Sequence, residues 1–172
     1  MTDSLFSTID LRSFSNVWFW ILLAVAWSNV THHVMGVPFD MVQRARRRGG
    51  ATMADLESLA MIQARRRMQI MRASGVWLVG FWTAVLTALA LLGFGYDHEL
   101  AQAMALLLVP LTLAAWLGMR LSARIESGLV LGENLTKTLV WHRVGIQAIG
   151  LLAIFVTTMW GMWQNLSIRV LG

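Results

Sequence analysis

The sequence predicts an all-α, polytopic membrane protein: a four-helix transmembrane bundle with extended cytoplasmic helices. Three observations carry that expectation. Hydrophobic residues make up 57% of the 172 positions and charged residues only 13%, against about 25% charged in an average soluble domain. Mean hydropathy is +0.61, more apolar surface than a water-soluble domain of this size hides. Four apolar stretches without Asp, Glu, Lys or Arg each match the roughly 20 helical residues needed to cross a hydrocarbon core about 30 Å thick. A soluble enzyme and a disordered chain are thereby excluded. With no cysteine, so are a disulfide framework, a zinc–thiolate site and thiolate ligation of an iron–sulfur cluster.

Each span is read in turn within a single transmembrane domain over residues 1–172. The first covers about 16–37, NVWFWILLAVAWSNVTHHVMGV. Two aspartates and one arginine precede it, and arginines follow, so it reads as a permanent helix rather than a cleaved signal peptide. The second covers about 73–96, the third about 100–119 and the fourth about 144–167. Barrel strands alternate apolar and polar over about ten residues; these runs are continuous and twice that long, so they are helices.

Orientation follows from the basic residues. The loop 38–72 holds Arg44, Arg46, Arg47, Arg48, Arg65, Arg66, Arg67 and Arg72, and the loop 120–143 holds Arg120, Arg124, Lys137 and Arg143. Twelve of the 14 Lys and Arg are therefore on one side, leaving Arg12 and Arg169 on the other. The expected location is a bacterial inner membrane, crossed several times, with both loops cytoplasmic and both termini outside, in the periplasm. Trp18, Trp20, Tyr96, Trp160 and Trp163 form one aromatic belt and Trp77, Trp116 and Trp141 the other, with Trp27 and Trp82 deeper.

The connections are also legible. Gly95 to Glu99 is short enough to force an antiparallel hairpin. Gly49-Gly50 breaks the chain, and Thr52, with Asp55 behind it, reads as the cap of a helix continuous with span two for roughly 40 residues, about 60 Å. Leu56, Leu59, Ala60, Ile70 and Met71 share a face of its lower half, interrupted by Gln63 and Arg67. Glu133 and Lys137 make an i,i+4 pair ahead of span four. Pro110 is expected to kink span three. Gly80, Ala84 and Ala88 are expected to pack against a neighbouring helix, and Gln102, Gln147, Thr157 and Thr158 can bond across helices.

Two groups could carry chemistry. Arg44, Arg46, Arg47 and Arg48, with Arg65, Arg66 and Arg67 behind them, form a juxtamembrane basic cluster suited to anionic phospholipid headgroups or to an acidic protein partner. No aromatic interleaving accompanies them, so nucleic acid is not expected. His32, His33 and His142 lie near one membrane face and are the candidates for a haem or quinone. Adjacent histidines diverge by about 100° on a helix, and His98 alone stands on the far side, so a two-haem relay is not expected. There is no phosphate loop, no HExxH and no Ser–His–acid order, and no Asp, Glu, Lys or Arg within the spans for a proton- or sodium-coupled carrier. No catalytic residue, metal site or resident cofactor is assigned.

Two stretches carry a resemblance. They are Asp10-Leu-Arg-Ser-Phe-Ser-Asn16 leading into the first span and Gly36-Val-Pro-Phe-Asp-Met-Val-Gln-Arg-Ala-Arg-Arg-Arg-Gly-Gly50, and Ala153-Ile-Phe-Val-Thr-Thr-Met-Trp-Gly-Met-Trp-Gln-Asn165. The chain resembles, over most of its length, a family of small bacterial inner-membrane proteins labelled "component of SufBCD complex", the iron–sulfur cluster assembly machinery. The resemblance implies an accessory membrane protein and brings no functional residues. For a chain without cysteine it implies docking or scaffolding. The expected function is a non-enzymatic inner-membrane accessory or scaffold protein presenting its arginine-rich cytoplasmic surface to a partner or to anionic lipid. The alternatives are a small electron-transport subunit holding a haem or quinone near His32, His33 and His142, and a transport or channel component built by homo-oligomerisation.

Overall fold

The computed structural model describes residues 17–34 and 36–171, with side chains described outside 32–35 and 167–172. Helix α1 spans Val17–His32. A pair of two-residue strands follows, β1 His33–Val34 and β2 Val37–Pro38, antiparallel with His33 opposite Pro38 and Val34 opposite Val37. Then come α2 Phe39–Arg48, α3 Gly50–Ala90, a π-helical turn Leu91–Gly95, α4 Glu99–Glu126 and α5 Glu133–Leu171. The architecture is all-α. Helix α3 packs on α4, α4 on α5, and α5 on α1.

Three helices are long and apolar enough to cross a membrane: those over Gly50–Gly95, Glu99–Glu126 and Glu133–Leu166. Helix α1 is apolar but shorter. Its 16 described residues rise about 24 Å at 1.5 Å each. The expected first span reaches residue 37, but the helix stops at His32. Val37 precedes a proline, which bars it from helical torsions, and Gly36 takes a φ of +81°. Hydropathy alone runs on through this corner because Val34, Met35 and Val37 are all apolar.

Helix α2 places Asp40 in its first turn and Arg46, Arg47 and Arg48 in its last, both favourable to the helix dipole. It ends where Gly49 turns to a φ of +61° and donates its N–H to the Ala45 carbonyl at 2.9 Å. The long helix expected beyond the Gly49-Gly50 break is present as 41 residues. Thr52 is not its cap, however: the helix opens at Gly50, and the Thr52 hydroxyl donates to the Gly49 carbonyl at 2.8 Å.

The tightest core lies in the two segments read as loops. Val42 and Ala45 of α2, Leu56, Ala60 and Ala64 of α3, Leu121 and Ile125 of α4, and Leu135 and Leu139 of α5 form one buried cluster, with Val37 and Val130. The expected extended helices therefore pack on one another. The Glu57 carboxylate accepts the Gly132 N–H at 2.6 Å and pins the turn between α4 and α5. The Arg72 guanidinium grips the Glu126 carboxylate at 2.6 and 3.1 Å. Glu133 and Lys137 pair at 3.8 Å on the surface.

Higher up, Leu23 and Trp27 of α1 meet Leu107 and Ala114 of α4 and Ile146 and Ala153 of α5. Trp27 lies on Gly150, whose Cβ, were there one, would come within 2.8 Å of the indole. At the far end Gln102 is buried. Its Nε2 donates to the Gly93 carbonyl at 2.8 Å, and its Oε1 accepts from Trp160 Nε1 at 3.0 Å and Gln164 Nε2 at 2.8 Å. Of the other polar residues expected to bridge helices, Thr158 bonds within its own helix, Gln147 is exposed, and Thr157 is buried with no partner among the described residues. Gly80, Ala84 and Ala88 are exposed rather than packed against another described helix, while Val85, Leu86 and Leu89 on the same helix are partly buried. Pro110 sits within an unbroken α4.

Candidate functional site: a basic cavity below the apolar runs

Four helices and the β-hairpin leave one cavity of about 510 Å³ between them. Helix α4 makes room for it with small residues: Ala114 and Ala115, then Gly118 one turn on, flanked by Leu111 and Met119. The last turn of α1 contributes Asn29, Val30 and Thr31, and the hairpin contributes Gly36. Helix α5 adds His142, Arg143 and Ile146, and α3 adds Arg67. The upper wall is thus apolar and the floor is basic.

The basic groups converge. Arg67 Nη1 lies 3.2 Å and His142 Nε2 3.9 Å from the point that a Cβ on Gly118 would occupy. The Arg143 guanidinium stacks 3.8 Å over the Phe39 ring. Both ring nitrogens of His142, and Nε of Arg143, are buried with no hydrogen-bond partner among the described residues. Neither Arg67 nor Arg143 pairs with a described carboxylate, whereas Arg44 pairs with Asp40 and Arg72 with Glu126. Both Arg67 and His142 lie outside the apolar runs, which begin at residues 73 and 144. Burial, and then the adjacent Arg67 charge, hold the His142 imidazole below its ordinary 6.5. Burial also lowers the Arg67 value.

The residues expected to act together are divided. Arg44, Arg46, Arg47 and Arg48 are exposed on α2, and Arg65 and Arg66 are exposed on α3. Arg44 is held by Asp40 at 2.5 Å. Arg67, the next residue along α3, turns the other way and enters the cavity. Of the three histidines, His142 lines the cavity; the side chains of His32 and His33 fall outside the described residues. Among the described residues no group of three or more His, Asp or Glu is placed to hold a metal ion. Arg143 and Gly118 escaped the reading of the sequence. Arg143 counted only as one more loop charge. The usable signal for Gly118 was the small-residue face of α4, Ala114, Ala115 and Gly118, beneath a basic flank.

The fold therefore defines an all-α protein with three helices able to cross a membrane and a basic cavity at the foot of their apolar runs. Comparison with protein-family models, with curated proteins and with solved structures gives no match.

Proposed function

We propose that the chain is a non-enzymatic accessory protein of a bacterial inner membrane that holds its exposed arginine face against anionic phospholipid. In this reading α1 is the fourth span, both arginine-rich segments lie in the cytoplasm and both termini lie outside. The carrying observation is α2. It is a rigid ten-residue helix anchored into the core by Val42 and Ala45, and it exposes Arg44, Arg46, Arg47 and Arg48. Only Arg44 among these four has a carboxylate partner among the described residues. Each arginine near an anionic leaflet contributes about 1 kcal/mol, within a Debye length of about 8 Å at physiological salt. The resemblance to the family labelled as part of the SufBCD complex points to the same accessory role.

The test replaces all four α2 arginines with Gln. Arg65, Arg66, Arg67, Arg72, Arg120, Arg124, Lys137 and Arg143 still outnumber Arg12 and Arg169, so reporters fused at Gly50 and Gly172 should still mark opposite compartments. Reconstituted in vesicles containing phosphatidylglycerol, the variant should lose salt-sensitive headgroup contact. Loss of a co-purifying protein with headgroup contact unchanged would replace lipid by an acidic partner. Inverted topology would reduce the cluster to an insertion signal.

A further inference from the structure

We propose that the cavity between α1, α3, α4 and α5 binds one anionic phospholipid, its phosphate held by Arg67, Arg143 and His142. This deepens the anionic-lipid reading above but uses different residues, so each can fail without the other.

The charge balance comes first. Two guanidiniums border one half-enclosed space, and no described carboxylate pairs with either. Both arginines are half-buried, and a charge partly withdrawn from water is stabilised by a nearby counter-ion. On α3 itself Arg72 does find a carboxylate, that of Glu126. The cavity floor thus carries two cationic groups with no described carboxylate beside them. The unpaired atoms state what kind of ligand fits. Arg143 Nε is a donor, and neutral His142 offers one N–H from a ring whose nitrogens are both buried and unpartnered. A ligand that accepts hydrogen bonds through several oxygens and carries negative charge matches these two donors, which is the chemistry of a phosphate diester. A quinone brings carbonyl acceptors but no charge to offset the two cations. A metal cation is repelled by them.

Position and shape then select a lipid over a soluble phosphate. The floor lies at the boundary of the apolar runs: Arg143 immediately precedes the run that begins at Val144, and Arg67 lies six residues below the one that begins at Ala73, about 9 Å along the helix. Inner-leaflet phosphates stand at that depth in the topology proposed here. Above the floor the wall is Leu111, Ala114 and Ile146, a surface for acyl carbons. A space of about 510 Å³ takes a headgroup and the first acyl carbons, the remaining chain lying outside in the bilayer. Gly118 is the keystone, since any side chain there projects into the point where Arg67 and His142 converge.

The experiment uses the full chain, purified in mild detergent and examined by native mass spectrometry, then titrated with nanodisc-delivered phosphatidylglycerol, with phosphatidylcholine and with inorganic phosphate alone. The wild type should retain one phosphatidylglycerol through delipidation. Arg67→Gln should weaken it by about tenfold, the loss of one charge-assisted contact. Gly118→Leu, which removes no charge, should abolish it by filling the space. Arg67→Lys should fall between wild type and Arg67→Gln, and it serves as the folding-safe variant, with circular dichroism confirming helix content throughout. The α2 quadruple Gln variant should keep the bound lipid. If the wild type retains no lipid, or if Arg67→Gln and Gly118→Leu both retain it as the wild type does, the site is overturned. If inorganic phosphate binds as tightly as phosphatidylglycerol, or phosphatidylcholine binds equally well, the anionic-lipid assignment is overturned. Loss of the lipid in the quadruple variant alone would move the binding to α2 and overturn the cavity site.

Discussion

The two ends of α3 obey opposite rules. In its lower half Leu56, Ala60 and Ala64 are fully buried against α2, α4 and α5. In its upper half Val76, Trp77 and Phe81 are largely exposed, and its most apolar stretch buries no residue. Below, Arg65 and Arg66 face out while Leu56, Ala60 and Ala64 face in, the one-sided pattern of an amphipathic helix. Above, the helix is apolar all round, as a helix surrounded by lipid can be. Hydropathy therefore marks the surroundings each segment suits and not the place where the chain packs most tightly. In the apolar half, cohesion rests on close approach and a few hydrogen bonds. Gly93 and Gly150 admit a backbone and an indole, the Trp82 Nε1 donates to Thr112 Oγ1 at 2.7 Å, and Gln102 joins the π-helical turn to α5.

The contrast can be broken most directly with leucines. Leu135→Ala, at a fully buried position in the basic half, should cost about 2–5 kcal/mol, read as a lowered unfolding midpoint in detergent. Leu151→Ala, on an outward face of the apolar half where the side chain is 71% exposed, should leave the midpoint unchanged. Equal losses would erase the distinction. Gly93→Ala tests close approach. Its Cβ would fall 2.8 Å from the backbone nitrogen of Gln102, and overpacking of that kind costs about 1–3 kcal/mol. The same measurement reads it, with protease cleavage near Asp97 as a local report.

Two further effects sharpen the comparison. Gln102→Leu strips Trp160 and Gln164 of their shared acceptor and the Gly93 carbonyl of a donor. It should cost about 1–3 kcal/mol if lipid excludes water from this site; the loss should shrink in short-chain detergent that admits water. The smallest effect is protonation in the cavity. His142 is held below 6.5, so in lipid-free protein the unfolded chain takes up that proton first as pH falls. This contribution to stability is fully present above 6.5 and declines as pH drops through 6.5 toward the lowered value. Thermal unfolding from pH 8 to pH 5 should show the decline, and His142→Gln should flatten it.

What was legible in the sequence was whatever a one-dimensional property controls. Helix content, the three long apolar helices, the short turn at Tyr96–His98 and the 41-residue length of α3 follow from hydropathy, from where Gly stands, and from the internal backbone hydrogen bonding that an apolar stretch demands. The exposed arginines of α2 belong there too, since adjacent charges on a short helix have nowhere apolar to go. The basic core and the cavity belong to the tertiary structure. Leu56, Ala60 and Ala64 make only a modest stripe, and it becomes a core because α2, α4 and α5 arrive on the same side of it. Arg66 and Arg67 are indistinguishable in composition and adjacent in the chain. A turn of about 100° per residue sends one outward and the other to Gly118, where α5 has brought His142. That meeting of α3, α4 and α5 depends on the packing of residues more than twenty positions apart, and no local pattern encodes it.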